Sequence, residues 1–185
     1  EYQVRKFSPY EAMEQIGRDE DADPFHYGPS ILRTIQGTPH QEIGTHTFSH
    51  FYCLERGQTE SAFRSDLRAA VRAAAEWNLE LRSLVFPRNQ SNPEYVAVCR
   101  EVGIQSYRGA GSHWIYKERN KYDECWLRRA VRLLDAYVNL SGHHTAGFDE
   151  IRQGPPFNLP GSRFLRPYWP ALKVFERRRL NRISS

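Results

Sequence analysis

Two histidines four residues apart are the residues of this sequence whose types and spacing suggest chemistry. They are His46 and His50, within the stretch E-I-G-T-H-T-F-S-H at residues 42–50. If a helical turn begins here, positions i and i+4 share one face, and both imidazoles reach the same metal ion. Zinc accepts neutral imidazole nitrogen, and its catalytic sites usually hold three protein ligands and a water molecule. The pair therefore indicates a metal-assisted hydrolase. The alternative is that both are ordinary surface or capping histidines.

The elements around this pair alternate between short strands and helices. That order is typical of parallel βαβ units, which close into a barrel or form an open sheet. The longest predicted helix carries an apolar stripe with helical spacing and starts at a threonine that is suited to cap it. The predicted strands are residues 1–6, 41–45, 81–86 and 104–108, with an extended segment at 140–145 and a loop at 154–160; the predicted helices are residues 9–16, 29–36, 59–77, 92–103, 123–138 and 170–182.

Polar side chains follow successive strands of this pattern. His46 follows one strand, Arg88 and Asn89 the next, and Arg108 ends the third; His143 lies in the extended segment. In parallel α/β folds chemistry collects at the carboxyl ends of the strands. Arg88 and Asn89 are therefore candidates to bind a sugar or to orient a carboxylate, and Arg108 and His143 are candidates to bind substrate. The alternative for each is a structural or solvated role.

The composition of the chain narrows the number of domains, the partners and the compartment to expect. The chain has 185 residues, 39% of them apolar and 26% charged, which fits a single domain at residues 1–185 with a real core. Its net charge of +4 is mild, so no nucleic-acid partner is expected. Three cysteines form no C-x-x-C pair, which favours a reducing compartment and a cytoplasmic location. No apolar run approaches the length of a transmembrane span.

Three motifs of the chain resemble those of a known family. H-T-F-S-H at 46–50, L-V-F-P-R-N-Q at 84–90 and I-Q-S-Y-R-G at 104–109 resemble the polysaccharide deacetylases, the chitooligosaccharide deacetylase-like carbohydrate esterases. The resemblance implies a distorted or incomplete (β/α) barrel and removal of acetyl groups from an N-acetylated carbohydrate substrate. It also implies that His46 and His50 bind zinc or another divalent metal, and that Arg88 orients a catalytic carboxylate.

The sequence departs from the family's pattern at both ends. The family's Thr-Phe-Asp-Asp type motif supplies the general base and a third, carboxylate metal ligand, and no such sequence precedes His46. The family's late Leu-x-x-His motif is not recognisable after Gly154. We therefore expect either a partial domain or a catalytically inactive relative that binds carbohydrate or a protein. A parallel sheet without its first strand exposes an edge, so a homo-oligomer that covers this edge is a further expectation.

Overall fold

A small parallel sheet organises the part of the chain that the structure describes. This computed structural model describes residues 8, 10–111, 113–120, 122–151, 154–161 and 167–184. The sheet has three strands in the order β1 (Ser83–Val85), β2 (Ser106–Arg108) and β3 (Phe157–Asn158). Both pairings are parallel. The strand predicted at residues 1–6 lies outside the described residues.

Thr45 extends the sheet beyond β1. It forms a parallel bridge with Leu84, in which the Thr45 amide donates to the Ser83 carbonyl at 2.9 Å and the Val85 amide donates to the Thr45 carbonyl at 2.9 Å. Gly44 permits this approach, because a Cβ at residue 44 would lie 2.4 Å from Ser83 Oγ. The strand predicted at residues 41–45 is therefore reduced to one bridging residue, and that residue places His46 at the carboxyl edge of the sheet.

Helices connect the strands. The longest, α3 (Glu60–Ala75), begins as predicted: Thr59 Oγ1 accepts a hydrogen bond from the Ala62 amide at 3.2 Å. Its apolar stripe is also confirmed, since Phe63, Leu67 and Ala70 are buried. The other helices are α1 (Tyr10–Met13), α2 (Pro29–Gln36), α4 (Val96–Glu101), α5 (Trp126–Asp135), α6 (Phe148–Ile151) and α7 (Glu176–Ser184), with 3₁₀ turns at Pro87–Asn89, Pro93–Tyr95 and Pro170–Phe175.

The core lies where α3 and α4 pack against the first strands. Phe63 is fully buried and stacks on Tyr95, with ring centroids 5.1 Å apart, and it also lies against Phe86. Leu84 and Val98 complete the same cluster from β1 and α4. Because Phe63 contributes to several of these contacts, truncating it to alanine should cost about 3–5 kcal/mol. This core fixes the strands at whose ends the candidate residues lie.

The prediction for residues 140–145 is wrong, because no strand forms there. The Leu140 and Ser141 amides instead donate to the Asp135 carboxylate at 2.9 and 2.8 Å, and Gly142 has a positive φ of 77°. These amides bind a side chain, so they are not available to a neighbouring strand. The third strand forms at Phe157–Asn158, within the predicted loop. The described residues thus show a parallel α/β sheet, and the distorted barrel stays a prediction.

Candidate functional site

The segment between the two histidines is not helical. Thr47 and His50 both have left-handed backbone conformations, with φ of 66° and 58°. The predicted helical turn is therefore wrong. The expected closeness of the imidazoles is nevertheless found, because the ring centroids of His46 and His50 are 4.8 Å apart.

Asp66 on α3 holds this segment in place. Its carboxylate is 3% exposed and accepts hydrogen bonds from the Phe48 amide at 2.8 Å, the Ser49 amide at 3.1 Å and the Ser49 hydroxyl. Within the segment, Thr47 Oγ1 accepts from the Phe51 amide at 2.7 Å. A charged acceptor with three donors is among the stronger polar arrangements in proteins. The positions of the two histidines are therefore set by the longest helix of the fold.

Hydrogen bonds also orient the two imidazoles. His46 Nδ1 lies 2.6 Å from the Val85 carbonyl, which only accepts, so Nδ1 donates this hydrogen bond. His50 Nδ1 lies 3.0 Å from the Tyr52 hydroxyl. Metal-binding histidines characteristically use one ring nitrogen for such a second contact and the other for the metal. Both rings are thus arranged to offer Nε2.

The charge state of His50 suits a metal ligand. Burial, followed by the positive charge of nearby His46 and Arg88, lowers the pKa of His50 below its ordinary value. The imidazole is therefore neutral at pH 7, the form that binds metal. Arg88 lies close by, with its guanidinium carbon 4.2 Å from the ring centroid of Tyr52. The residue predicted to act in catalysis is thus beside the histidine pair.

The turn after β1 presents two more of the predicted residues. Arg88 and Asn89 are exposed and have left-handed φ values of 54° and 53°. Asn89 Oδ1 accepts a hydrogen bond from Arg108 Nη2 at 3.0 Å, which links the ends of β1 and β2. The structure therefore brings His46, His50 and Arg88 together and joins Asn89 to Arg108.

A buried glutamine fixes this turn. Gln90 is 2% exposed; its Oε1 accepts from the Leu54 amide at 3.2 Å, and its Nε2 donates to the Arg119 carbonyl at 3.2 Å. It ties the turn to the segment after His50 and to the segment before α5. Sequence analysis did not single out Gln90, because a glutamine beside an exposed turn carries no signal of burial.

His143 lies beside a cavity of the structure. It is exposed and lines a cavity of about 760 Å³ together with Tyr107, Trp114 and Asn158. His46, His50, Arg88, Asn89 and Arg108 are not among the residues that line this cavity. His143 is therefore separated from the histidine pair, although it remains at the carboxyl edge of the sheet.

A serine and a histidine in the wall of this cavity approach each other without forming a nucleophilic pair. Ser141 Oγ lies 2.7 Å from His144 Nε2 and 2.7 Å from Asp135 Oδ2. Burial raises the pKa of Asp135, but hydrogen bonds from Tyr116 and Ser141 outweigh it and the pKa is lowered. The Ser141 hydroxyl donates its single hydrogen to the Asp135 carboxylate, so in this arrangement it does not donate to His144. Ser141 and His144 thus form part of the wall of this cavity.

The donor set fits a divalent metal only as part of a site. No group of three or more His, Cys, Asp or Glu residues that could hold a metal is found among the described residues. Burial raises the pKa of Cys53 and that of Cys99, the latter to about 12, so both thiols stay protonated in the core. Asp66 holds the loop and is not a ligand. A complete set of three protein ligands would therefore need a residue from outside the described residues.

Two supporting residues were missed by sequence analysis. Tyr52 contacts both His50 and Arg88 and follows the motif by only two residues. Asp66 could have been found, because it lies on the apolar stripe of α3 between Phe63 and Leu67. A carboxylate on a buried helical face is rare unless it is paired, so its position indicates a partner.

Comparisons with protein-family models, with curated proteins and with solved structures give no match for this chain. Across the described ranges, no helix is long and apolar enough to cross a membrane.

Proposed function

We propose that this chain carries part of the active site of a metal-dependent hydrolase that removes acetyl groups from N-acetylated sugars of a polysaccharide or its precursor. The observation that carries the proposal is the paired imidazoles of His46 and His50 at the carboxyl edge of a parallel sheet. Each ring has its Nδ1 engaged by a second group. The three motifs that resemble the polysaccharide deacetylases supply the reaction.

His46 and His50 would hold a zinc ion or another divalent metal, together with a carboxylate from outside the described residues. The metal would lower the pKa of a bound water molecule and polarise the acetamide carbonyl. Val85 and Tyr52 orient the two rings. Arg88, beside Tyr52, would orient the carboxylate that removes the water's proton.

The end of the sheet would bind the sugar. Asn89 and Arg108 are exposed and hydrogen-bonded to each other, so together they present an amide and a guanidinium to sugar hydroxyls. The left-handed turn at residues 88–89 directs these groups to the same edge as His46. Such strained turns are frequent at functional sites.

A second candidate function is carbohydrate binding without catalysis. The observation that favours it is the incomplete ligand set: two imidazoles lie together, and in the described part of the chain no third His, Cys, Asp or Glu joins them. Under this reading the histidines are remnants of a metal site, and the sugar-binding surface is the functional part.

The two functions are separated by chemical rescue. Acetate release from N-acetylated chitooligosaccharides is measured with zinc, with and without added formate, a small carboxylate that substitutes for the missing base. We expect little activity from these 185 residues alone and a formate-dependent, zinc-dependent rate that His46→Ala and His50→Ala abolish. His26→Ala, which changes an exposed histidine paired with Asp23, is the control and should keep the rate.

A rate that persists in His46→Ala and His50→Ala would refute the proposal. Absence of any zinc-dependent rate, in a protein whose circular dichroism shows the native fold and which binds the oligosaccharide, would favour the binding function instead.

A further inference from the structure

A cavity at the ends of β2 and β3 lies apart from the histidine pair. Its volume of about 760 Å³ falls within the range of small-molecule sites. Tyr107, at the middle of β2, and Asn158, at the end of β3, line it. The segments after these strands, which include Trp114 and His143, form its sides. The cavity thus has the usual position of a ligand site in a parallel α/β fold.

The side chains that line the cavity are suited to an uncharged, hydroxyl-rich ligand. Among the lining residues that the structure describes there is no lysine or arginine, so these residues offer a phosphate or a nucleotide no cationic side chain. Glu150 is the one carboxylate among the lining residues. Trp114 is 55% exposed and offers an indole face for stacking. Other polar lining residues that can bond to hydroxyl groups are Ser141, His143, His144, Thr145 and Asn158.

The amide of Asn158 is held in one orientation. Its Oδ1 accepts a hydrogen bond from the Gly109 amide at 3.1 Å, and a Cβ at residue 109 would lie 2.3 Å from this oxygen. A side chain at residue 109 would therefore displace the Asn158 amide from this position. Because the amide group is planar, fixing Oδ1 also fixes the direction of the two Nδ2 hydrogens. Asn158 is exposed and thus presents a pre-oriented donor for a ligand carbonyl or hydroxyl.

The order of the strands sets the distance between the cavity and the histidine pair. Thr45, β1, β2 and β3 are neighbours in that order, and His46 follows Thr45. With neighbouring strands about 4.8 Å apart, the ends of β2 and β3 lie roughly 10–14 Å from the end of the Thr45 strand. One sugar ring is shorter than this distance, so a ligand that reaches both places has more than one ring.

We propose that this cavity binds a second sugar residue of an N-acetylated oligosaccharide, whose other end reaches the histidine pair. The assignment of the reacting sugar to His46 and His50 rests on the proposed function, whereas sugar binding in the cavity does not need a metal. The substrate class is therefore an oligosaccharide or polymer, and a monosaccharide fills only part of the site.

Isothermal titration calorimetry in the presence of EDTA tests the proposal, with the tetramer and the monomer of N-acetylglucosamine as probes. We expect the tetramer to bind at least about tenfold more tightly than the monomer. Trp114→Ala should weaken tetramer binding about tenfold, which corresponds to about 1.4 kcal/mol, because it removes the aromatic face on which a sugar ring stacks. Asn158→Asp keeps the acceptor for the Gly109 amide and removes the Nδ2 donors, so it should weaken binding as well.

Trp126→Ala is the matched control. Trp126 is 78% exposed and does not line the cavity, so its loss should leave binding unchanged. Equal affinity for monomer and tetramer, or unchanged tetramer binding in Trp114→Ala, would overturn the proposal. Tighter binding of a phosphorylated sugar than of the neutral one would overturn it too.

The two proposals fail separately. Tetramer binding that is lost in Trp114→Ala, in a chain without zinc-dependent hydrolysis, would refute the proposed hydrolase and keep the cavity assignment. Zinc-dependent hydrolysis without preferential tetramer binding would refute the cavity assignment and keep the proposed hydrolase.

Discussion

Replacing His50 with alanine removes one of the two imidazoles placed together at the edge of the sheet. Structural zinc sites with four ligands bind with roughly 10–16 kcal/mol, or about 2.5–4 kcal/mol per ligand. Two imidazoles then give about 5–8 kcal/mol, which corresponds to a Kd of roughly 1 µM to 0.2 mM. One imidazole gives about 2.5–4 kcal/mol and a Kd in the millimolar range. We therefore expect weak zinc binding that His50→Ala reduces by about 10²- to 10³-fold.

The assay is isothermal titration calorimetry with zinc at pH 7.5, where His50, whose pKa is lowered, is neutral. Tyr52→Phe, which removes the hydroxyl beside His50 Nδ1, should weaken binding by roughly tenfold, as is usual for groups that orient a ligand. Protons compete with the metal, so affinity falls as the pH drops. Because the pKa of His50 is lowered, protonation of His50 weakens zinc binding only below about pH 6.5. His26→Ala is the control.

Two results would refute this reasoning. One-to-one binding with a nanomolar Kd would mean that these 185 residues contain a complete ligand set. Affinity unchanged in His50→Ala would place the zinc elsewhere on the chain.

Three further predictions concern the groups around the site. Asp66→Ala leaves two backbone donors of the histidine segment without their buried acceptor, and we expect a loss of about 2–4 kcal/mol in urea denaturation together with loss of zinc binding; unchanged values in both would contradict the role given to Asp66. The pKa of Asp135 is lowered in the folded protein, so the contribution of this carboxylate to stability is complete above about pH 4 and is lost as the pH falls through the folded pKa. Asp135→Asn should therefore make the free energy of unfolding fall less steeply as the pH drops below about 4. An unchanged slope would contradict this role of Asp135. A thiol reagent at pH 8 should label Cys125 rapidly in the native protein and Cys53 and Cys99 only after unfolding, because the latter two are buried with raised pKa values; fast labelling of all three would show that the core is open.

Local signals in the sequence were sufficient for the elements that depend on local interactions. The cap at Thr59 and the buried stripe of α3 are properties of one helix, and the structure confirms both. The strands β1 and β2 lie within the predicted strands at residues 81–86 and 104–108. In these cases the residues that decide the structure lie within a few positions of one another.

The elements that were wrong depend on contacts between distant residues. The segment at 140–145 has an extended pattern, but Asp135 binds two of its amides and prevents pairing. The strand at Phe157–Asn158 has only two residues and exists because Gln105 and Tyr107 carbonyls accept from Phe157 and Leu159 amides. No local pattern identifies such a partner, so sequence reasoning could not have placed this strand in the sheet.

The same distinction strengthens the candidate site. In the described part of the chain, six non-glycine residues have positive φ, and four of them are Thr47, His50, Arg88 and Asn89. Each such residue costs of order 1 kcal/mol or more, and β-branched Thr47 is among the least suited to this conformation. The buried side chains of Asp66 and Gln90 hold both strained turns. A protein selected for stability alone would place glycine or asparagine at most of these positions. The strain is concentrated where the histidine pair and Arg88 face the same edge, which favours a functional site over a set of ordinary surface residues.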